Sequence, residues 1–179
     1  MNPAYTVRPA TAIDSRFIYL LSSDPRIREQ STRSDFFEYA EHERWYEEKL
    51  SNGLNAIWIM EAPHGLPVGM VRYGKVLVDC EWCPDTPSRH CCKWEAELQA
   101  EIAIAIVPSE QRKGYGLALL RETMPLARDW LSVDTLVALV LRNNRGSRAL
   151  FRCAGFRYVG CEVRMNKVHA RYESEEDRP

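Results

Sequence analysis

The stretch EQRKGYGLALL, Glu110 to Leu120, sets two glycines and two cations directly ahead of an amphipathic leucine run. Backbone N–H groups converging at a helix start form a concavity of positive potential, and glycine serves where the backbone must approach a ligand or take positive φ. Gln111 to Leu117 therefore reads as an anion cradle, with Arg112 and Lys113 adding charge. Two common phosphate loops are excluded. A P-loop needs Gly-Lys-Ser/Thr after its second glycine, and no Ser or Thr follows here. A dinucleotide loop needs a third small residue where this chain has Leu119. The plain alternative is that Gly114 and Gly116 only make a tight strand-to-helix turn.

A second cluster, CEWCPDTPSRHCC, invites a metal reading, because Cys80 and Cys83 have zinc-finger spacing and His90, Cys91 and Cys92 follow. The second half lacks a Cys-x-x-Cys knuckle, and adjacent cysteines point apart in an extended chain. No metal is expected, with zinc at Cys80, Cys83, His90 and Cys91 as the alternative to a Pro-rich excursion carrying incidental thiols. Cys153 and Cys161 sit in apolar contexts and read as small buried hydrophobes.

The elements that must position these residues follow from periodicity and turn chemistry. YTVRPA reads as a short strand, and Thr11 with Asp14 can open a helix through Phe17, Ile18, Leu20 and Leu21. SDPRIREQSTRSD is a loop by composition, and a second helix is expected from about Phe37 to Leu50, with Trp45, Tyr46 and Leu50 on one face. AIWIM and VGMVRYG flank a turn and predict a hairpin. AEIAIAIVP alternates at Ile102, Ile104 and Ile106, the mark of a strand with one buried face. The helix behind the glycine loop extends to about Trp130 and is kinked or interrupted at Pro125. TLVALVL is a buried strand, SRALFRCAG a helix stopped by Gly155, and FRYVG and EVRM are closing strands. A mixed sheet of about seven strands with about four helices on its two faces satisfies this order.

The chain has 179 residues, 45% apolar and 27% charged, with a formal net charge of -1. These values suit one domain with a substantial core and argue against wholesale disorder or nucleic acid as main partner. No apolar stretch approaches membrane-spanning length and MNPAYTVRPA lacks a signal-peptide core, so the expected compartment is the cytoplasm. Residues 1–170 are expected to form one domain and 171–179 a charged, frayed tail.

QRKGYG after EIAIAIVP resembles the acetyl-CoA signature Gln/Arg-x-x-Gly-x-Gly/Ala of the GNAT superfamily of N-acetyltransferases. NNRGSRALFRCAGF resembles that family's second motif, and the α/β element order matches the GNAT fold from about Tyr5 to Met165. The resemblance implies acetyl-CoA as co-substrate. Its pyrophosphate would be held by backbone amides around Gln111, Arg112, Lys113, Gly114, Tyr115 and Gly116. Its pantetheine arm would lie along Ile104, Ile106 and Val107, with Asn144, Ser147 and Phe151 near the thioester end. Capping a helix is the ordinary role for Asn144.

The resemblance also implies a glutamate near the strand start as general base. Glu101 fits, with Glu97 as runner-up, each against the ordinary reading of a solvated carboxylate. The family's usual tyrosine acid is replaced by Phe151, which has no proton to give. Tyr158 and Tyr115 are possible substitutes, so the acid stays open; a thiol of pKa about 8.5 can also leave unaided. The segment from Ser22 through Trp45 and Tyr46 resembles, less tightly, a GNAT branch acting on amino-sugar nucleotides in surface-glycan pathways. That resemblance implies Arg28, His42, Trp45 and Tyr46 at the acceptor. Arginines could pair with a diphosphate and an aromatic ring could stack on a base; a helix core and a solvated loop are the plain alternatives. A protein N-terminus, a polyamine or an aminoglycoside are other acceptors, a CoA-binding module without turnover is a different class, and a homodimer is possible.

Overall fold

The computed structural model describes residues 5–32, 35–77 and 98–175. Seven strands form one sheet in the order β1-β2-β3-β4-β5-β7-β6. They are β1 (Thr6–Pro9), β2 (Asn55–Ala62), β3 (Leu66–Leu77), β4 (Leu98–Ile106), β5 (Thr135–Leu141), β6 (Arg157–Arg164) and β7 (Lys167–Glu175). Every neighbouring pair is antiparallel except β4 and β5. The helices are α1 (Ser15–Ser23), α2 (Pro25–Arg28), α3 (Tyr39–Ser51), α4 (Tyr115–Leu131) and α5 (Arg145–Cys153). The α/β architecture expected from the element order is the one observed.

Two cores cover the two sheet faces. On one, Leu119, Leu120, Met124 and Ala127 of α4 and Phe151 of α5 pack against Ile102, Ile106, Leu136, Ala138, Ala170 and Tyr172. On the other, Ile18 and Leu21 of α1 and Tyr46 of α3 pack on Ile57, Ile59 and Met70. The period of two in the strands makes this possible: Ala100 and Ile102 face α4, while Gln99 and Glu101 face the α1 side. Before α1, the Thr11 backbone N–H donates to the Asp14 carboxylate at 2.8 Å, and Arg8 holds the same carboxylate with bonds of 2.8 and 2.7 Å.

Four sequence expectations need correction. FRYVG and EVRM are one strand, β6, whose register shifts between Tyr158 and Gly160. Its partner β7 runs to Glu175, inside the stretch that composition marks as a tail. The turn between them has positive φ at Met165 (49°) and Asn166 (58°). That is the hairpin conformation usually announced by Asn-Gly, and Met-Asn hides it. Within the stretch SDPRIREQSTRSD, expected to be a loop, Pro25–Arg28 makes a helical turn, and the N–H of Arg26 is capped by Asp24 at 2.9 Å. Finally, of the kink or interruption expected at Pro125 the interruption is excluded, because α4 continues through it. Pro125 and Arg121 are both exposed, so the carbonyl that loses its helical bond lies where water can serve it.

Candidate functional site

The parallel ladder between β4 and β5 has only three paired positions, Gln99 with Thr135, Ala100 with Leu136 and Glu101 with Val137. Beyond them β4 stays paired with β3 from Ile102 to Ile106, while β5 stays paired with β7 from Ala138 to Leu141. The two strands therefore part at Glu101 and Val137. On the side facing the gap, the β4 backbone past Glu101 has no strand partner among the described residues. An open edge of this kind offers N–H and C=O groups to an extended ligand.

The gap leads to the glycine loop. Arg112 and Gly114 take positive φ, 62° and 91°. Gly114 sits at the helix N-cap of α4, and a Cβ there would meet nothing within 4 Å, so its constraint is conformational and the space around it is open. The Gln111 Nε2 donates to the carbonyl of Ile106 at 3.0 Å and ties the loop to the end of β4. The first N–H groups of α4 lie beyond any acceptor in their own helix. Lys113 is paired with Glu110 at 2.9 Å, and the Tyr115 side chain is buried in the core, so Tyr115 can offer a ligand its backbone only. Gly116 is a contact position: a Cβ would meet Leu150 of α5 at 3.3 Å and Ile106 at 3.7 Å.

Asn144 caps α5, its side-chain oxygen accepting from the Ser147 N–H at 3.0 Å, which is the ordinary role weighed for it. Phe151 is 3% exposed and packs edge-on against Phe156 at 5.1 Å. It is core, and the implied contact with the donor is corrected accordingly. Ile106 is buried, and Ile104 and Val107 are half-buried beside the gap.

Glu101 lies where the strands part and is held by the Arg164 guanidinium from β6. Arg164 also binds Glu162. Arg171 of β7 then links Glu162 at 3.1 Å, Glu173 at 2.6 Å and the Gln99 side chain at 2.8 Å. The two arginines hold the Glu162 carboxyl below its usual range against the opposing cost of burial. Val76, Gln99, Glu101, Val137, Arg164 and Arg171 line a cavity of about 200 Å³. Nearby Arg72 of β3 reaches over the Trp45 ring at 5.7 Å, and its burial lowers its pKa. Arg28 donates to the Asp35 carbonyl and lies 4.8 Å from the Phe37 ring centre. Thr32 and the buried His169 of β7 are 3.2 Å apart, and Lys167 donates to Ser31, so the α2 loop is moored to the same sheet face.

The structure thus places Glu101, Trp45 and Arg28 on the α1 side of the sheet, and it does not bring the other implied acceptor residues into a cleft. His42 is 3% exposed, surrounded by Tyr19, Phe37, Trp45 and Tyr46, and 3.2 Å from the Ser15 carbonyl. Tyr46 is 1% exposed and donates to the Thr11 carbonyl at 2.8 Å. Both are core of the α1–α3 layer. Tyr158 is corrected too: it lies on β6, on the α5 face, beside Tyr172 and 3.2 Å from the Cys161 sulfur. Two strands, β5 and β7, separate it from the gap. Cys153 and Cys161 are exposed, contrary to the expectation of burial. Among the described residues no group of His, Cys, Asp and Glu is placed to hold a metal; Glu97 and the cluster from Cys80 to Cys92 lie outside them.

Arg72, Arg164, Arg171 and Gln99 were not singled out in the sequence. The only signal was alternation: Glu162 and Arg164, and His169 and Arg171, recur at period two on their strands.

A seven-stranded sheet parted beside a glycine loop defines an acyltransferase fold, and the family comparison agrees. The model of the acetyltransferase (GNAT) domain matches residues 5–157. The chain belongs to this family of N-acetyltransferases. The spermidine N-acetyltransferase of Vibrio cholerae, solved with CoA and spermine, is similar with a TM-score of 0.76 and 18% identity, over 96% of this chain and 95% of its own. Aminoglycoside acetyltransferase AAC(6')-Ib, solved with coenzyme A, has a TM-score of 0.73 at 18% identity, over 97% and 95%. The protein yncA of Salmonella typhimurium, solved with its cofactor acetyl-CoA, has a TM-score of 0.73 at 18% identity, over 98% and 96%. At such identity the likeness is one of fold. No curated protein sequence matches the chain. No described helix is long and apolar enough to cross a membrane.

Proposed function

We propose that the protein transfers the acetyl group of acetyl-CoA directly to a primary amine on a small, anionic acceptor, of which an amino-sugar nucleotide is the leading class. The observation that carries the donor half is the parting of β4 and β5 at Glu101, in line with a loop turned to left-handed backbone at Arg112 and Gly114. The residues fit: the loop amides from Arg112 to Gly116 would take the pyrophosphate, and the open edge from Ile104 to Val107 the pantetheine. When bound, acetyl-CoA supplies an activated acetyl carbonyl and a thiol leaving group.

This chain supplies the rest. An N–H on the open β4 edge is available to polarise the carbonyl. Glu101 accepts the amine proton, directly or through water. Neither the buried Phe151 nor the distant Tyr158 supplies an acid at the gap, which suits a leaving thiol of pKa about 8.5. It also suits an acceptor less basic than lysine's about 10.4, as an amine flanked by electron-withdrawing sugar substituents is.

Charge favours an anionic acceptor over a polycation. On the α1 face, Glu101, Glu162 and Glu173 are each bonded to an arginine, and Arg72 and Arg28 lie nearby. These three carboxylates are therefore compensated by arginine, which weakens their pull on a polyamine, although the similar Vibrio cholerae enzyme binds spermine.

CoA release should be measured with amino-sugar nucleotides, spermidine, an aminoglycoside and an N-terminal peptide. Highest kcat/KM on an amino-sugar nucleotide, with Arg28→Ala raising KM for it while sparing acetyl-CoA, supports the reading. A polycation as best substrate overturns the acceptor, and acetyl-CoA binding with no turnover on any amine overturns the enzyme.

A further inference from the structure

On the α5 face of the sheet, far from Glu101, three arginines converge. Arg142, at the end of β5, and Arg148 and Arg152, one turn apart on α5, line a cavity of about 230 Å³ with Tyr158, Cys161 and Ala170. Arg148 is fixed in place: its Nε donates to the Tyr172 hydroxyl at 3.2 Å and its Nη1 to the Arg142 carbonyl at 3.2 Å. Tyr158 and Cys161 close the floor, hydroxyl to sulfur at 3.2 Å.

Among the described residues no carboxylate lines this cavity. The strands beneath it do carry carboxylates, but Glu162 and Glu173 point to the opposite face, where they bind Arg164 and Arg171. The ordinary pattern for arginines on a helix surface is interspersion with acidic residues, and α5 has none: its residues are Arg-Gly-Ser-Arg-Ala-Leu-Phe-Arg-Cys. Three arginines lining one concavity, one of them fixed in place, repel one another, and a bound anion relieves that repulsion. Guanidinium forks match tetrahedral oxyanions in geometry, and the Tyr158 hydroxyl at the cavity adds a donor of the right kind.

We infer that the α5–β6 cavity is a second anion site, for a phosphate or phosphomonoester group, separate from the donor gap. The separation is topological: β5 and β7 lie between β4 and β6, and the Gly116 contact with Leu150 puts α4 on the other flank of α5 from Arg148. The inference stands whether or not the proposed acceptor is correct.

The test is a titration of the full chain with inorganic phosphate, read by amide NMR shifts, with and without saturating CoA. Saturable shifts confined to residues 142–153 and 157–164, present with CoA bound and weakened about tenfold or more in Arg142→Gln/Arg152→Gln, are expected at a dissociation constant in the range of about 1 mM. Both substituted side chains are exposed, so the fold should persist, and circular dichroism checks it. Shifts absent up to about 10 mM, or unchanged by the double variant, overturn the site. If CoA abolishes the shifts and 3′-dephospho-CoA does not, the cavity serves the donor's own phosphate, and a separate site is overturned.

Discussion

Arg164 on β6 holds Glu101 on β4 across the sheet face, at the position where β4 and β5 part. The pair is 63 residues apart in sequence and joins the proposed base to an outer hairpin. Arg164 in turn shares Glu162 with Arg171, so the orientation of Glu101 depends on a network spanning β4, β6 and β7. Removal of either partner should have different consequences for turnover.

Glu101→Gln should lower kcat by about 10²-fold or more, because the amide cannot take the amine's proton. Arg164→Met should lower kcat less, since it removes the anchor of the carboxylate without removing the carboxylate. An unchanged kcat in Glu101→Gln would exclude Glu101 as base.

Restoring the family's tyrosine at position 151 should not restore an acid. Phe151→Tyr buries a hydroxyl among Phe156 and aliphatic neighbours, at a cost of about 1–3 kcal/mol if it finds no partner. A lower melting temperature with no gain in kcat is the expected result, by thermal melts and CoA release. A rise in kcat would show that the ring reaches the gap.

The two loop glycines should answer differently to alanine. Gly114→Ala forces a Cβ onto φ of 91°, costing roughly 1–2 kcal/mol in the loop and raising KM for acetyl-CoA. Gly116→Ala meets the flexible end of Leu150 at 3.3 Å and should be nearly neutral. Steady-state kinetics on the pair separates a conformational need from a packing one; equal KM effects would contradict the assignment.

Burial pushes the His42 pKa below its ordinary value near 6.5. The unfolded chain then binds a proton that the folded chain refuses, so stability rises with pH in this window. It is full above about 6.5 and is lost as pH falls toward the depressed folded value. Melting temperature between pH 7 and 5 should fall less in His42→Phe than in the parent. Equal slopes would place the acid sensitivity elsewhere.

What the sequence alone determined is what local spacing can encode. The alternation of Ile102, Ile104 and Ile106, the glycines ahead of the α4 leucines and the Asn-x-x-Ser step at Asn144 mark backbone states, and these lie where spacing placed them. Tertiary structure decided which aromatic and charged groups face a cavity. His42 and Tyr46 carry the side chains of a binding site, yet α3 turns both inward: Tyr46 is buried with Ile18 and Ile59, and His42 among the rings of Tyr19, Phe37 and Tyr46. The arginine network around Glu101 was illegible, since its members are distant in sequence and meet only through strand register. The Met165–Asn166 turn sets that register: a slip of one residue would send Arg164 and Arg171 to the opposite face.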